Sequence, residues 1–463
     1  MKYKYVILGG GPTGLGAAYR LKELGITDFI VLEKEAYVGG LATSFVDEKG
    51  FTWDVGGHVQ FSHYKYFDDL MIEALGEDGW LTHQRESWVW IKNTFVPYPF
   101  QNNIRHLPLE DQLKCIKGLV DLYKNGAKTK ASNFKEWILN TFGQGLADVF
   151  MIPYNFKVWA YPAEMMNSQW VGERVAVTDL SKMIENILLE KDDYSWGPNN
   201  LFQFPKKGGT GAIWKAVGEL IGEQYFKLNS KVSGVDVNKK SIQLENGEQI
   251  EFEFLMNTMP LDIFTTKCQG LDQSLVDLSE NLLHSSTHVI GIGLNGTPPS
   301  HLKKKCWMYF PEDNSPYYRI TVFSNYSPEN VPNIENQWSL MVEVSESTHK
   351  PVDVPNLMKD TIKALLEDNL IESENQIESK FYFSTKYGYP TPSIDRDAIV
   401  NQVLPKLQEK NIYSRGRFGA WKYEVANQDH SMMQGVEWAN LMVLGIPELT
   451  LPFPNTANAM YGK

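Results

Sequence analysis

The sequence predicts an α/β fold: a Rossmann-type dinucleotide-binding domain that carries an inserted helical domain and a mixed/antiparallel β-sheet domain. Three observations predict it. The chain opens on a strand, a glycine loop, a helix and a second strand, all before Glu33. Apolar residues at helical spacing then fill the stretch from about Leu109 to Leu188. Short β-type runs at 286–295, 306–311, 317–323, 337–345 and 379–385 follow, separated by turn chemistry.

The opening unit is the most informative. Tyr3–Leu8 is a short apolar run of the kind that forms a buried parallel strand. It passes into Gly9-Gly10-Gly11-Pro12-Thr13-Gly14, then a helix from about Leu15 to Leu24 that Gly25 stops. Gly9 permits the tight turn, Gly11 lets the backbone approach a pyrophosphate, and Gly14 lets helix and strand pack closely. A pyrophosphate there meets unpaired N–H groups and the positive end of the helix dipole. Asp28–Leu32 is the next strand, and Glu33 follows Gly14 by about 20 residues, where a carboxylate accepts from a ribose hydroxyl. A glycine-rich turn alone is common; with both strands, the helix and the acid in place, the unit reads as a dinucleotide site.

Downstream lies a second glycine pair, Val38-Gly39-Gly40-Leu41-Ala42-Thr43-Ser44, and then Phe51-x-x-Asp54-x-Gly56-Gly57-His58. The extra pair lets more backbone close on a long cofactor, and the pattern resembles the flavoproteins that bind extended FAD. Two ordinary glycine turns would be the simpler reading, but both pairs fall within one binding-unit length.

The rest of the chain is assigned in order. Trp88-Val89-Trp90-Ile91 reads as a strand, and Phe95–Gln101 as an extended segment fixed by its prolines. Leu113, Ile116, Val120 and Tyr123 fall at helical spacing, as do Phe134, Trp137, Ile138 and Phe142, and later Leu180, Met183, Ile184, Ile187 and Leu188. Phe204-Pro205-Lys206-Lys207-Gly208-Gly209-Thr210-Gly211 opens another helix, and Lys231–Val237, Ser241–Leu244 and Phe252–Asn257 return the chain to the FAD domain. An amphipathic helix is expected near Leu357–Leu370, and another from Ser431 to about Leu444. Beyond Gly445 the Pro- and Asn-rich tail lacks a helical pattern and reads as irregular and mobile. The expected domains are 1–85, 205–270 and 408–463 for FAD, 104–204 for the helices, and 86–103 with 271–407 for the substrate-facing sheet.

Composition narrows the function. The 463 residues carry 44 basic and 56 acidic side chains, a formal net charge of −12, and no basic run longer than Lys303-Lys304-Lys305. That excludes a general nucleic-acid surface, so an anionic ligand must be held by a few placed arginines. No apolar stretch is long enough to span a bilayer, and Cys115, Cys268 and Cys306 show no metal-ligand spacing, so neither a membrane partner nor a metal is expected. A reducing, cytoplasmic compartment fits best.

Further motifs carry a more specific resemblance. These are Gly57-His58-Val59-Gln60-Phe61-Ser62-His63-Tyr64-Lys65-Tyr66-Phe67, Val96-Pro97-Tyr98-Pro99-Phe100-Gln101-Asn102-Asn103, and Trp170-Val171-Gly172-Glu173-Arg174. Tyr318-Arg319 with Phe323-Ser324-Asn325-Tyr326-Ser327-Pro328, Tyr389-Pro390-Thr391-Pro392 and Asn427-Gln428-Asp429-His430-Ser431 complete the set. Over nearly its whole length the chain resembles the eukaryotic-type UDP-galactopyranose mutases, which interconvert UDP-galactopyranose and UDP-galactofuranose. The resemblance implies an isomerase working through a covalent adduct between the sugar and N5 of reduced FAD, with no net redox change and with NADPH or NADH as reductant.

It also implies residue roles. Arg174 and Arg319 occupy the diphosphate-clamp positions, where guanidinium forks suit a pyrophosphate better than ammonium groups. Either arginine alone would read as a surface ion pair. Tyr98 and Phe150 match the aromatic pair around uracil, with Gln101 and Asn155 as its polar readers. Trp159 and Asn199 lie along the sugar and ribose path, Phe61 on the substrate-side loop, and Tyr309, Tyr389 and Tyr423 match tyrosines that reach the diphosphate. His58 matches a catalytic histidine beside the flavin, while Arg417 and Asn427 fall near flavin and galactose. Gly9, Gly11, Thr13, Gly14, Glu33, Gly40, Leu41, Gly57, Val232, Gln428 and Ser431 complete the cofactor set. The chain departs from the family at Gln60, where an aliphatic residue is more usual, and at Ala420 and Ala426. Two rivals stay open: a mutase for another nucleotide-linked hexose, and an amine-oxidase-like flavoenzyme, against which a positive clamp would repel the amine. Oligomeric state is not legible in the sequence.

Overall fold

The computed structural model describes residues 1–126, 130–172, 175, 177, 179–194 and 200–460. Lys2–Leu8 is the first strand, and its last four residues are fully buried, as a central parallel strand requires. It pairs in parallel with Phe29–Leu32 on one side and Gln249–Asn257 on the other. The sheet extends through Ser241–Leu244, Val232–Asp236 and Cys268–Gln269 at one edge and Phe226–Lys227 at the other. Ile412–Ser414 pairs with the far half of Gln249–Asn257. After the opening unit the chain therefore returns to this sheet twice, at 226–269 and at 412–414.

Helix Pro12–Glu23 packs on the sheet and against the closing helix Gln428–Leu444. At their crossing the backbones touch: a side chain at Gly435 would collide with the Thr13 carbonyl. The closing helix starts three residues earlier than its apolar pattern suggests. The tail is ordered, against expectation: Pro454–Asn458 is a short helix, Ala457 is buried, and Asn458 Nδ2 donates to Glu424 O at 3.1 Å. Scattered polar contacts and a buried alanine leave no periodic signature for a sequence to display.

The second sheet runs in the order Ile377–Pro390, His284–Asn295, Gln337–Glu346, Arg319–Val322, Trp307–Tyr309, Ser87–Ile91 and Thr94–Pro97. Its central strands are buried on both faces. One face is covered by the helix Val354–Glu367, the other by Phe51, Trp53 and Phe204.

Between the sheets' ends sit the helices Leu109–Asn125, Phe134–Leu146, Ile152–Trp159 and Leu180–Leu188, with a π turn at Ala147–Met151. Phe134, Ile138, Phe142 and Met183 are buried as expected. On the first of these helices the expected stripe is split: Leu113 is 51% and Tyr123 64% exposed, Ile116 packs partly buried on the core, and Cys115 and Leu119 are fully buried beside it. Periodicity defines a helix but not which of two overlapping apolar stripes meets the neighbour.

Candidate functional site

The cofactor cradle comes first in the chain and forms where the strand Lys2–Leu8 ends. Helix Pro12–Glu23 has Gly11 at its N-cap, no side-chain cap and no acid in its first turn. Its leading N–H groups are therefore free for an anion. The two glycine loops lie face to face: Gly39 N donates to Gly10 O at 2.8 Å, and a Cβ on Gly40 would come within 3.2 Å of Gly11 Cα. Glu33 is buried and accepts from Gly10 N at 2.6 Å and Glu35 N at 2.9 Å. Each oxygen keeps a lone pair for a ribose hydroxyl. Thr13, Leu41 and Val232 line the surrounding elements. The glycine-only gap, uncapped helix and preset carboxylate fit a dinucleotide such as FAD.

The N-terminus of the closing helix is built similarly. Asn427 is its N-cap but makes no capping hydrogen bond, while Gln428 Oε1 is held by Trp214 Nε1 at 2.6 Å. Ser431 N closes the first turn on Asn427 O at 2.8 Å. The Asn427 amide is thus left for a ligand, and the helix dipole points positive in the same direction.

The loop from Gly57 to His63 is tied at three points. Gly57 N donates to Glu343 Oε1 at 3.0 Å. Gln60 exchanges backbone hydrogen bonds with Gln203 at 2.9 and 2.8 Å. His63 donates to Asp429 Oδ2 through both its backbone N, at 3.1 Å, and Nδ1, at 2.8 Å. Phe61 lies against His63 with ring centroids 5.5 Å apart. His58 stands between the ties, with Nδ1 buried and unpartnered. Burial pushes its pKa down to about 4, Arg417 and Arg319 add to the shift, and Glu343 opposes it. His58 is therefore neutral at neutral pH and free to exchange one hydrogen bond.

Glu343 is the junction of the site. It sits in the doubly buried strand Gln337–Glu346 and accepts from Arg319 Nε at 2.7 Å and Nη2 at 2.8 Å. It accepts also from Tyr318 Oη at 2.8 Å. Burial alone would raise its carboxyl, but the Arg319 guanidinium and the Tyr318 and Gly57 donors together hold it below the usual range. The fork fixes Arg319 and leaves Nη1 for a ligand. A charged residue inside an apolar strand was the available sequence signal for Glu343, and motif reading passed over it.

The aromatic residues assemble in two groups on one core. Tyr98, Tyr309, Tyr389 and Tyr423 are all half-buried against the helical core. In the first group Tyr98 lies 5.4 Å from Tyr309, and Tyr309 lies 5.2 Å from Tyr154. Burial pushes the Tyr98 hydroxyl up to about 12. Phe150 is only 2% exposed, stacked on Phe100 at 4.4 Å and Tyr154 at 5.2 Å. Tyr154, one helical turn beyond Phe150, is the more exposed ring of that stack and was missed in the sequence. Gln101 is buried in the turn Phe100–Asn102, and Asn155 Nδ2 donates to Met151 O at 2.7 Å.

In the second group Trp159 meets Tyr423 at 4.7 Å and Tyr389 at 5.7 Å. Arg417 lies over Tyr389 at 5.0 Å and donates to the carbonyls of Gly388, at 3.1 Å, and Ala426, at 3.2 Å. A further buried cation was also missed: Arg85 lies 5.2 Å from the Tyr98 ring and 4.8 Å from Trp307, with Nε on Ser87 Oγ at 2.8 Å. Arg174 and Asn199 lie outside the described residues. Tyr98, Phe150, Trp159, Tyr309, Tyr389 and Tyr423 share the helical core, and Arg319, Arg417 and Glu343 act on His58, whereas Glu33, directly after Phe29–Leu32, and Val232 belong to the first sheet.

Comparison with known proteins follows this geometry. The family model for flavin-containing amine oxidoreductases matches residues 12–285. A probable flavin-containing monoamine oxidase A from Dictyostelium discoideum is 24% identical over 276 residues, 56% of this chain and 57% of that protein. The chain thus spans little more than half the length of that curated relative. The crystal structure of a reduced UDP-galactopyranose mutase superposes with a TM-score of 0.95 at 48% identity, covering 100% of both chains. A putative protoporphyrinogen oxidase from Exiguobacterium shares the fold alone, with a TM-score of 0.71 at 15% identity over 96% of this chain and 99% of that one.

Proposed function

The chain belongs to the UDP-galactopyranose mutases, within the flavin-containing amine oxidoreductase family, and from that premise we infer that it interconverts UDP-galactopyranose and UDP-galactofuranose. The enzyme is an FAD-dependent isomerase. When bound and reduced, FAD supplies the nucleophile for the anomeric carbon of the sugar. The chain's own residues bind, orient and protect.

The cradle from Gly9 to Gly14 takes the cofactor pyrophosphate and Glu33 its ribose. Arg319, held by Glu343, presents Nη1 to the sugar diphosphate as UDP leaves and returns, and Arg174 is assigned the opposite side. Tyr309, Tyr389 and Tyr423 donate to the same oxygens. Tyr98 and the Phe150–Tyr154 stack enclose uracil, with Gln101 and Asn155 reading its edge and Asn199 its ribose. Trp159 and Asn427 border the galactose. Neutral His58 faces the flavin edge and exchanges a hydrogen bond with it. NADPH or NADH is the assigned reductant and the cytoplasm the assigned compartment.

One observation supports this reading most directly. Arg319, Tyr318 and the loop at Gly57 all meet on the single buried carboxylate of Glu343, so a diphosphate-binding cation and the cofactor-side loop form one rigid unit. The Arg417 guanidinium, which donates to the carbonyls of Gly388 and Ala426, opposes an amine substrate. The test is turnover of UDP-galactofuranose to UDP-galactopyranose by dithionite-reduced and by oxidised protein. Turnover confined to the reduced state, with no stoichiometric consumption of reductant, is the expected result. Equal turnover in both states, or none with a bound UDP-sugar, overturns the assignment.

A further inference from the structure

Lys157 lies on the helix Ile152–Trp159, between Asn155 and Trp159, and points away from both into the protein. It is 5% exposed. Its Nζ donates to Glu312 O at 2.5 Å, Ser315 O at 3.0 Å and Ser315 Oγ at 3.3 Å. All three acceptors are neutral, and among the described residues Lys157 makes no ion pair. A buried ammonium without a carboxylate is a costly choice where an apolar side chain of equal length would fit. The same helix end is fastened twice more, since Ser345 Oγ donates to Lys157 O and Ser347 Oγ to Ala160 O. The loop that receives the ammonium, Glu312 to Tyr317, runs straight into Tyr318 and Arg319.

We propose that Lys157 is a positioning residue: its ammonium straps the helix bearing Asn155 and Trp159 to the loop that delivers Arg319, and so sets UDP-sugar affinity. The proposal rests on the site assignment above and extends it. The strap fixes the spacing between the nucleoside and sugar wall on one side and the diphosphate cation on the other. A ligand that touches both walls reads that spacing as affinity, with little effect on the chemical step.

The strap also titrates. Lys350 faces it from the turn after Gln337–Glu346 and donates to Ser345 O at 2.7 Å. Asp368 faces it from the end of Val354–Glu367, accepting from Tyr317 Oη at 2.5 Å and Trp90 Nε1 at 2.9 Å. Glu312 and Asp313 lie on the receiving loop, and the Tyr317 ring is 5.9 Å from Nζ. Burial pulls the Lys157 amine down to about 7, Lys350 adds to the shift, and Asp368, Asp313 and Glu312 oppose it. Above that pH the bonds to the Glu312 and Ser315 carbonyls lose their charge assistance, and the strap loosens.

The experiment uses the full chain with oxidised FAD bound, which binds without turning over, and titrates UDP-galactopyranose between about pH 6 and pH 9. The diphosphate of this ligand is a diester with no second ionisation in that range. Wild-type affinity should fall about 3- to 10-fold from the acid to the alkaline end, the equivalent of one hydrogen bond. Lys157→Met should bind at the weak alkaline value throughout, with KM raised and kcat of the reduced enzyme held within about twofold. Lys157→Arg, permanently charged, should keep tight binding and lose the slope. Wild-type affinity and slope in either folded variant overturn the proposal, as does a wild type with no slope. A wild type that binds no UDP-galactopyranose at all removes the site assignment, and this inference with it.

Discussion

Gly57→Ala is the sharpest test of the junction at Glu343. Gly57 has ordinary backbone geometry, so alanine adds only a methyl group. That methyl would lie 3.0 Å from Glu343 Oε1 and 3.2 Å from both Cζ and Nη2 of Arg319. Carbon contacts settle near 3.5 Å or more, so the neighbours must give by about 0.3–0.5 Å. Neither can move cheaply, because the carboxylate is held by Arg319, Tyr318 and Gly57 itself. Either the loop withdraws and breaks the Gly57–Glu343 bond, at about 1–2 kcal/mol, or the Arg319 fork rotates. Both outcomes displace Arg319, the cation assigned above to the diphosphate, relative to the loop carrying His58. Sub-ångström misplacement of this kind should lower kcat/KM by about 10- to 100-fold. Turnover of UDP-galactofuranose by the reduced variant, normalised to bound flavin, measures it. Wild-type kcat/KM at normal flavin content would refute the reasoning, because the contact would then have no part in the site.

Three further outcomes follow from the same geometry. Arg319→Ala should abolish most turnover, retain FAD, and cost about 2–4 kcal/mol of stability by stranding Glu343; adding Glu343→Gln should restore stability but not turnover. Thermal melts and assays of the single and double variants check this, and a single variant that keeps both properties contradicts it. Tyr98→Ala should weaken UDP binding by about 1 kcal/mol, roughly fivefold, in a calorimetric titration; unchanged affinity removes Tyr98 from the uracil site. Asp54, fully buried, has its carboxyl raised to about 6 by burial, against donors from Ser44 and Thr210. A raised folded pKa stabilises below the unfolded value and loses that contribution as pH rises through about 6. The wild type should therefore gain on Asp54→Asn, by roughly 1 kcal/mol, as pH falls from about 7 to 5. Parallel melting curves across that range would contradict the burial argument.

The parts legible in the sequence were those with a local cause. The glycine cradle and Glu33 could be read because backbone approach to a pyrophosphate demands particular residues at short spacing. Tyr309, Tyr389, Tyr423 and Arg319 could be singled out because the motifs around them are contiguous or local, and their ligand roles are those proposed above. Glu343, Arg85 and Tyr154 could not, because each acts through partners far away in sequence: Glu343 through Gly57, Arg85 through Trp307 and Tyr309, and Tyr154 through Tyr309. The exposed Leu113 and Tyr123 on Leu109–Asn125 have the same origin, since which face is buried depends on neighbours the local pattern does not contain. The docked tail is a third case, held by Arg415 on Glu448, by Thr450 on Glu437 and by Asn458 on the Glu424 carbonyl.

The late return of the chain to its first sheet has a consequence for synthesis. Strand Lys2–Leu8 leaves the ribosome about 240 residues before its partner Gln249–Asn257, and helix Pro12–Glu23 about 400 residues before the helix that covers it. At about 5–20 residues per second, the flavin cradle waits tens of seconds for its lid. Throughout that interval a buried strand and one face of a helix are bare, a binding surface for chaperones rather than for FAD. Cofactor loading is thus an event of the finished chain, and a truncation before Gln428 would leave every glycine of the cradle in place yet unable to keep its flavin.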